Sequence, residues 1–152
     1  MVDQPLDNSC SAVILAGGLN SRMGGRNKAF LKLNGKTILQ WLLESLQQNF
    51  SEILLVTRQP ELYRQWPVNV VTDIYNARSS LTGIHAGLMN AQTSHIFAIA
   101  CDAPFLQPQV TQLLVDQISK EQDVVVPFYD GHFQPLCAVY AKECLEVVIR
   151  VL

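Results

Sequence analysis

The stretch Ser11-Ala12-Val13-Ile14-Leu15-Ala16-Gly17-Gly18 is an apolar run of strand length that ends in two glycines. A strand that is apolar at every position is one covered on both faces, as in a parallel sheet flanked by helices. Glycines at its carboxyl end allow main-chain N–H groups to come close to an anion and to form a phosphate-binding concavity. A tight structural turn would use the same residues. The cations that follow, Arg22 and Lys28, tip the balance, because both lie in one loop and offer fixed positive charge for a polyphosphate. Arg26 is read as solvated.

Outward from this stretch, strands and helices alternate. Thr37 is positioned to cap a helix carrying Ile38, Trp41, Leu42 and Leu46. Residues 52–57 (EILLVT) form a second strand, 60–66 one or two helical turns, and 69–72 a short strand running into Asp73. Ile84, Leu88 and Ala91 predict a helix starting near Thr82, and 95–100 (HIFAIA) another buried strand ending at Cys101-Asp102-Ala103-Pro104. Residues 109–120 are amphipathic, 123–126 form a fourth long strand, Asp130-Gly131 is a turn, and 136–140 pair back as a β element. The expectation is an α/β fold, a three-layer α/β/α sandwich on a mostly parallel, Rossmann-like sheet, with a small β hairpin element near the C-terminal end. Residues 1–152 are read as a single domain. The last stretch, 142–152, is helical and runs to Leu152 without a cap or turn signal, giving the expectation that a C-terminal portion is missing.

Composition narrows the function. The chain has 152 residues, of which 49% are hydrophobic and 16% charged, which excludes a disordered chain. A net charge of −2 leaves no electrostatic footprint for nucleic acid, so an anionic ligand must be held by a few placed groups. No apolar run approaches the roughly 20 residues of a membrane-spanning helix, and Met1-Val2-Asp3-Gln4-Pro5 lacks the features of a signal peptide. No membrane partner and a cytoplasmic location are therefore expected. Cys10, Cys101, Cys137 and Cys144 form no CxxC pair and read as core thiols.

In an open α/β sheet, ligands bind beyond the carboxyl ends of the strands. Three polar features fall there: Gly17-Gly18, Asp73 and Asp102. Asp102 is suited to Mg2+, which prefers oxygen donors and keeps several waters, or else to an N-cap or Asx turn before Pro104. Asp73 either accepts hydrogen bonds from a ribose or base or only shapes its loop. Gly83, after Ser79-Ser80-Leu81-Thr82, either lets a nucleoside lie against the main chain or belongs to an ordinary helix start. Gln134-Pro135 lines an acceptor pocket or forms a hairpin rim. Two familiar phosphate motifs are absent. The loop lacks GxGxxG, and although Gly35-Lys36-Thr37 supplies the end of a Walker A motif, Phe30 stands where its first glycine is required. Asn34-Gly35-Lys36 reads instead as a turn leading into the helix.

The run LAGGLNSRMGGRNKAFLKLNGKTIL, from Leu15 to Leu39, resembles the nucleotide-binding motif of molybdenum cofactor guanylyltransferases. Val71-Thr72-Asp73, Leu81-Thr82-Gly83 and Ala100-Cys101-Asp102-Ala103-Pro104 resemble later landmarks of that family in the same order. Two places depart from the pattern, Ser79-Ser80-Leu81 and Val56-Thr57. The resemblance implies a nucleotidyltransferase that moves GMP from GTP to the phosphate of molybdopterin and releases pyrophosphate. It implies nucleotide contacts from Leu15, Ala16, Gly17, Gly18, Ser21, Lys28, Asp73, Gly83 and Asp102. Catalysis would fall to Arg22, Lys28 and Asp102, with Mg2+ on Asp102. Its partners would be GTP, molybdopterin or molybdenum cofactor, and proteins of cofactor biosynthesis or molybdoenzyme maturation. The related cytidylyltransferases typically read LAAG, so Gly18 favours guanine within this resemblance. The alternatives are a cytidylyl- or sugar-phosphate nucleotidyltransferase and a non-catalytic GTP-binding module.

Overall fold

The computed structural model describes residues 9–17, 26–77 and 79–152. Ten strands, four α-helices and several short 3-10 turns make up the described chain. The central sheet has six strands in the order β5 (Asn69–Val71), β4 (Ile53–Val56), β1 (Cys10–Leu15), β6 (His95–Ala100), β10 (Cys137–Ala141) and β7 (Val124–Val125). The first four run parallel, whereas β10 is antiparallel to both β6 and β7.

Strand β1 is central because both its faces are apolar. Ala12 and Ile14 enter one core with Leu39, Leu42 and Leu46 of α1 (Ile38–Leu46) and Leu114 of α3 (Pro108–Val115). Val13 enters the other core with Ile84 and Leu88 of α2 (Ser80–Asn90) and Val148 of α4 (Leu145–Val151). Alternate residues of one strand thus anchor both helical layers, the arrangement expected of a doubly covered sheet. The three-layer reading holds.

Local chemistry sets the element ends. Thr37 caps α1 with a reciprocal pair: its Oγ1 accepts from the Gln40 N–H at 3.1 Å, and its own N–H donates to Gln40 Oε1 at 2.8 Å. Asn34-Gly35 is the two-residue turn of a small hairpin, β2 (Lys32–Leu33) with β3 (Lys36–Thr37), and both turn residues have positive φ, 51° and 82°. Asp130-Gly131 does the same between β8 (Phe128–Tyr129) and β9 (His132–Phe133), at φ 49° and 77°.

Several boundaries differ from the expectation. Helix α2 begins at Ser80, two residues before Thr82, because Ser79 Oγ accepts from the Leu81 N–H at 3.0 Å and forms the cap. Helix α3 ends at Val115, where the Ile118 N–H donates to Val115 O at 3.0 Å and closes a tighter turn. The long strand expected over 123–126 pairs only at Val124 and Val125, at the edge of the sheet, and Pro127 lacks the N–H to extend the ladder. The final segment starts as a 3-10 turn, Lys142–Cys144, before α4.

Candidate active site

From β1 the chain winds outward to β4 and β5, then crosses to β6 on the other side of β1. The order reverses between β1 and β6, and a crevice opens at their carboxyl ends, where open α/β sheets bind ligands. The Cys101 N–H donates to Leu15 O at 3.2 Å, tying the two strand ends together. A cavity of about 580 Å³ lies there, lined from one side by Leu15, Ala16 and Gly17 and from the other by Cys101 and Asp102. Its size is that of a site for one nucleotide-sized ligand.

Lys28 also lines this cavity. Its position is set by the 3-10 turn Lys28–Phe30, capped by Asn27, whose Oδ1 accepts from the Ala29 N–H at 3.0 Å. Asn27 Nδ2 donates to the hydroxyl of Tyr63 at 2.8 Å, and Phe30 packs against Tyr63 and Trp66 with ring centroids 5.3 and 6.0 Å apart. The Tyr63 phenol is buried and its pKa is raised by that burial. A flexible lysine is thereby carried on a stiff base. Its Nζ lies 3.8 Å from Asp102 Oδ2, with both side chains partly open to solvent.

Asp102 stands two residues beyond the end of β6, and its carboxylate faces the crevice. The N-cap reading fails, because α3 begins at Pro108 and its cap position is Gln107. Beside it, burial pushes the Cys101 thiol up to about 11, and the Asp102 charge adds to the rise. A single half-exposed carboxylate suits Mg2+, which commonly takes one or two protein carboxylates and completes its shell with phosphate and water. Among the described residues no group of three acidic, His or Cys side chains forms a closed metal site.

Asp73, beyond the end of β5, and Gly83, in the first turn of α2, also line this cavity. The Asp73 side chain is only 7% exposed. Its Oδ1 accepts from the Tyr75 N–H at 2.9 Å, and its Oδ2 accepts from the Thr82 hydroxyl at 2.6 Å. Asp73 therefore shapes its loop and ties it to α2. Gly83 has a packing reason to be glycine: a Cβ there would come within 2.8 Å of Leu15 Cδ2. Leu15, Ala16, Gly17, Lys28, Asp73, Gly83 and Asp102 thus share one cavity, while Gly18, Ser21 and Arg22 lie outside the described residues.

Arg58 is a charged lining residue that motif reading missed. It stands two positions beyond β4, and its Nη2 donates to Tyr75 O at 2.7 Å and Ala77 O at 2.6 Å. A cation just past a buried strand was the available signal, but its partners are 17 and 19 residues away. Lys36, the Walker-like lysine, points elsewhere: it pairs with Glu44 at 2.7 Å and lies over the Trp41 ring at 4.6 Å.

The carboxyl end of β1 with Gly17, a lysine and the half-exposed carboxylate of Asp102, gathered at the switch point of a mainly parallel sheet, define the crevice of a nucleotidyltransferase. The sequence pattern of the MobA-like NTP transferase domain matches residues 12–152, and the chain belongs to that family. It is 40% identical over 143 residues to a molybdenum cofactor guanylyltransferase of Desulfosudis oleivorans, covering 94% of this chain and 71% of that protein. A probable molybdenum cofactor guanylyltransferase of Natranaerobius thermophilus is 38% identical over 144 residues, with 91% and 70% covered. Among solved structures, molybdopterin-guanine dinucleotide biosynthesis protein A of Archaeoglobus fulgidus superposes with a TM-score of 0.79 at 27% identity, over 93% of this chain and 72% of that one. Among the described residues no helix is long and apolar enough to cross a membrane.

Proposed function

We propose that the chain transfers GMP from GTP to the terminal phosphate of molybdopterin and releases pyrophosphate, in the cytoplasm and with Mg2+. The observation that carries the chemistry is the convergence of the carboxyl end of β1, Lys28 and Asp102 on one crevice. The names of its relatives supply the two substrates.

An oxygen of the acceptor phosphate forms a bond to the α-phosphorus, and the bond from that phosphorus to the bridging oxygen of the β-phosphate breaks. The acceptor oxygen is already anionic, so no side-chain nucleophile or general base is required. Positioning and charge stabilisation account for most of the rate in such reactions. Main-chain groups of Leu15, Ala16 and Gly17 cradle the nucleotide. Lys28 holds the phosphates and stabilises the departing pyrophosphate, with Arg22 as the second cation. Asp102 would hold Mg2+, which supplies charge neutralisation between the phosphates. The nucleoside extends toward Asp73, Ser79 and Gly83. A second hollow meets the first at Asp102 and is bounded by Ala103, Leu106, Gln134 and Pro135, which supports an acceptor lying on that side.

The test is pyrophosphate release from GTP, CTP, UTP and ATP with Mg2+ and molybdopterin. Release from GTP that needs both additions is expected. Preferential use of CTP would replace the guanylyl reading with a cytidylyl one, and nucleotide binding without release would leave only a binding module.

A further inference from the structure

We propose that Arg58 is a positioning residue for the nucleoside: it holds the 73–77 segment as a wall of the cavity and so sets nucleotide affinity without taking part in phosphoryl transfer. The inference rests on the nucleotidyltransferase reading above, and specifically on the nucleoside lying toward Asp73, Ser79 and Gly83.

Residues 72–77 leave β5 without entering a helix or strand, so their carbonyls have no ladder partners. Two of them, those of Tyr75 and Ala77, converge on one guanidinium nitrogen of Arg58. The Nε of the same group lies 3.7 Å from Asp73 Oδ2, and Asp73 in turn accepts from the Tyr75 N–H and from the Thr82 hydroxyl. One planar cation thus joins the end of β4 to the segment after β5, and Asp73 links that segment to the first turn of α2. The rigid fork of an arginine suits two carbonyls and a nearby carboxylate at once, which a single ammonium does not match. The root of the side chain is fixed as well. The Thr57 N–H donates to Val71 O at 3.1 Å, and Thr57 Oγ1 accepts from the Gln59 N–H at 3.1 Å.

Charge gives the clasp a second effect. Asp73 is a nearly buried carboxylate lining a cavity that receives a polyanion. The neighbouring guanidinium offsets its charge, so the wall does not repel the ligand.

The experiment is titration of the full chain with GTP and Mg2+, with turnover measured separately at saturating GTP and molybdopterin. Arg58→Ala should weaken GTP binding roughly tenfold or more, as expected for lost charge-assisted hydrogen bonds, with saturated turnover within about threefold of the parent. Arg58→Lys should recover only part of the affinity. Paired with Asp73→Asn, the loss should be less than the product of the two single losses, because both act through one segment. Thermal unfolding of Arg58→Lys and Arg58→Gln guards against a variant that fails to fold. Unchanged affinity in folded variants, full recovery by lysine, additive losses, or a fall in saturated turnover alone would each overturn the proposal. If the parent protein bound no nucleoside triphosphate, the functional reading itself would fall first.

Discussion

Lys28 and Asp102 face each other across the crevice, Nζ to Oδ2 3.8 Å, one carried on the turn after β1 and the other just beyond the end of β6. A pair of this length between half-open side chains adds little to folding. Its opposed charges are instead suited to divide a phosphate–metal ligand between them. Asp102→Asn should therefore lower saturated turnover by roughly 100-fold, the scale of losing a key electrostatic group, while unfolding free energy stays within about 0.5 kcal/mol. Lys28→Ala should instead weaken triphosphate binding by roughly tenfold or more. Steady-state kinetics and calorimetric titration separate the two effects. Loss of affinity without loss of turnover in Asp102→Asn would contradict this division of roles.

Cys101 lies between the strand end and Asp102, and burial, reinforced by that carboxylate, lifts its pKa from 9.0 to about 11. The folded protein then keeps its thiol proton where an unfolded chain has lost it. Between roughly pH 9 and pH 11 the native state binds more protons than the unfolded state, so the Cys101 contribution makes stability fall as pH rises through that window. Below pH 9 the contribution is flat. Alkylation of the folded protein by iodoacetamide, followed residue by residue, should be slow at Cys101 at pH 8 and accelerate only toward pH 11. Rapid labelling at pH 8 would show that the thiol is neither shielded nor held protonated.

The parts of the site that are legible in the sequence share a property: their signals are contained in a few consecutive residues. The apolar strand before Gly17, the capping box at Thr37 and the acid after HIFAIA each state their geometry locally. Arg58 is not legible in this way, because its role depends on carbonyls that reach it only when β4 and β5 are side by side. The place of β10 inside the sheet is also hidden. Its residues read as a returning β element, but that they pair with β6 on one side and β7 on the other is decided by the whole sheet. The β2–β3 hairpin escapes for a simpler reason. Strands of two residues have no periodicity to detect, so Asn34-Gly35 shows its turn and not its ladder.

Gly83 and Gly87 lie one turn apart on the face of α2 that meets β1, and they should answer differently to the same substitution. A Cβ at Gly87 would stand 2.8 and 2.9 Å from the two methyls of Val13 and 3.2 Å from Ile96 Cδ1. Val13 is buried and β-branched, and it has no free rotamer to retreat into. Overpacking of this kind costs about 1–3 kcal/mol, against a gain of about 1 kcal/mol in helix propensity from Gly to Ala, so Gly87→Ala should destabilise the fold or at best break even. At Gly83 the close atom is the far end of Leu15, which has room to move because it borders the cavity. Gly83→Ala should therefore leave thermal stability nearly unchanged and instead press Leu15 into the nucleotide space, weakening GTP binding. Denaturation curves and GTP titrations on the two variants check this crossing pattern. If Gly83→Ala lowered stability and left affinity intact, Leu15 would not be the yielding partner, and the close packing of α2 on β1 would be purely structural at both positions.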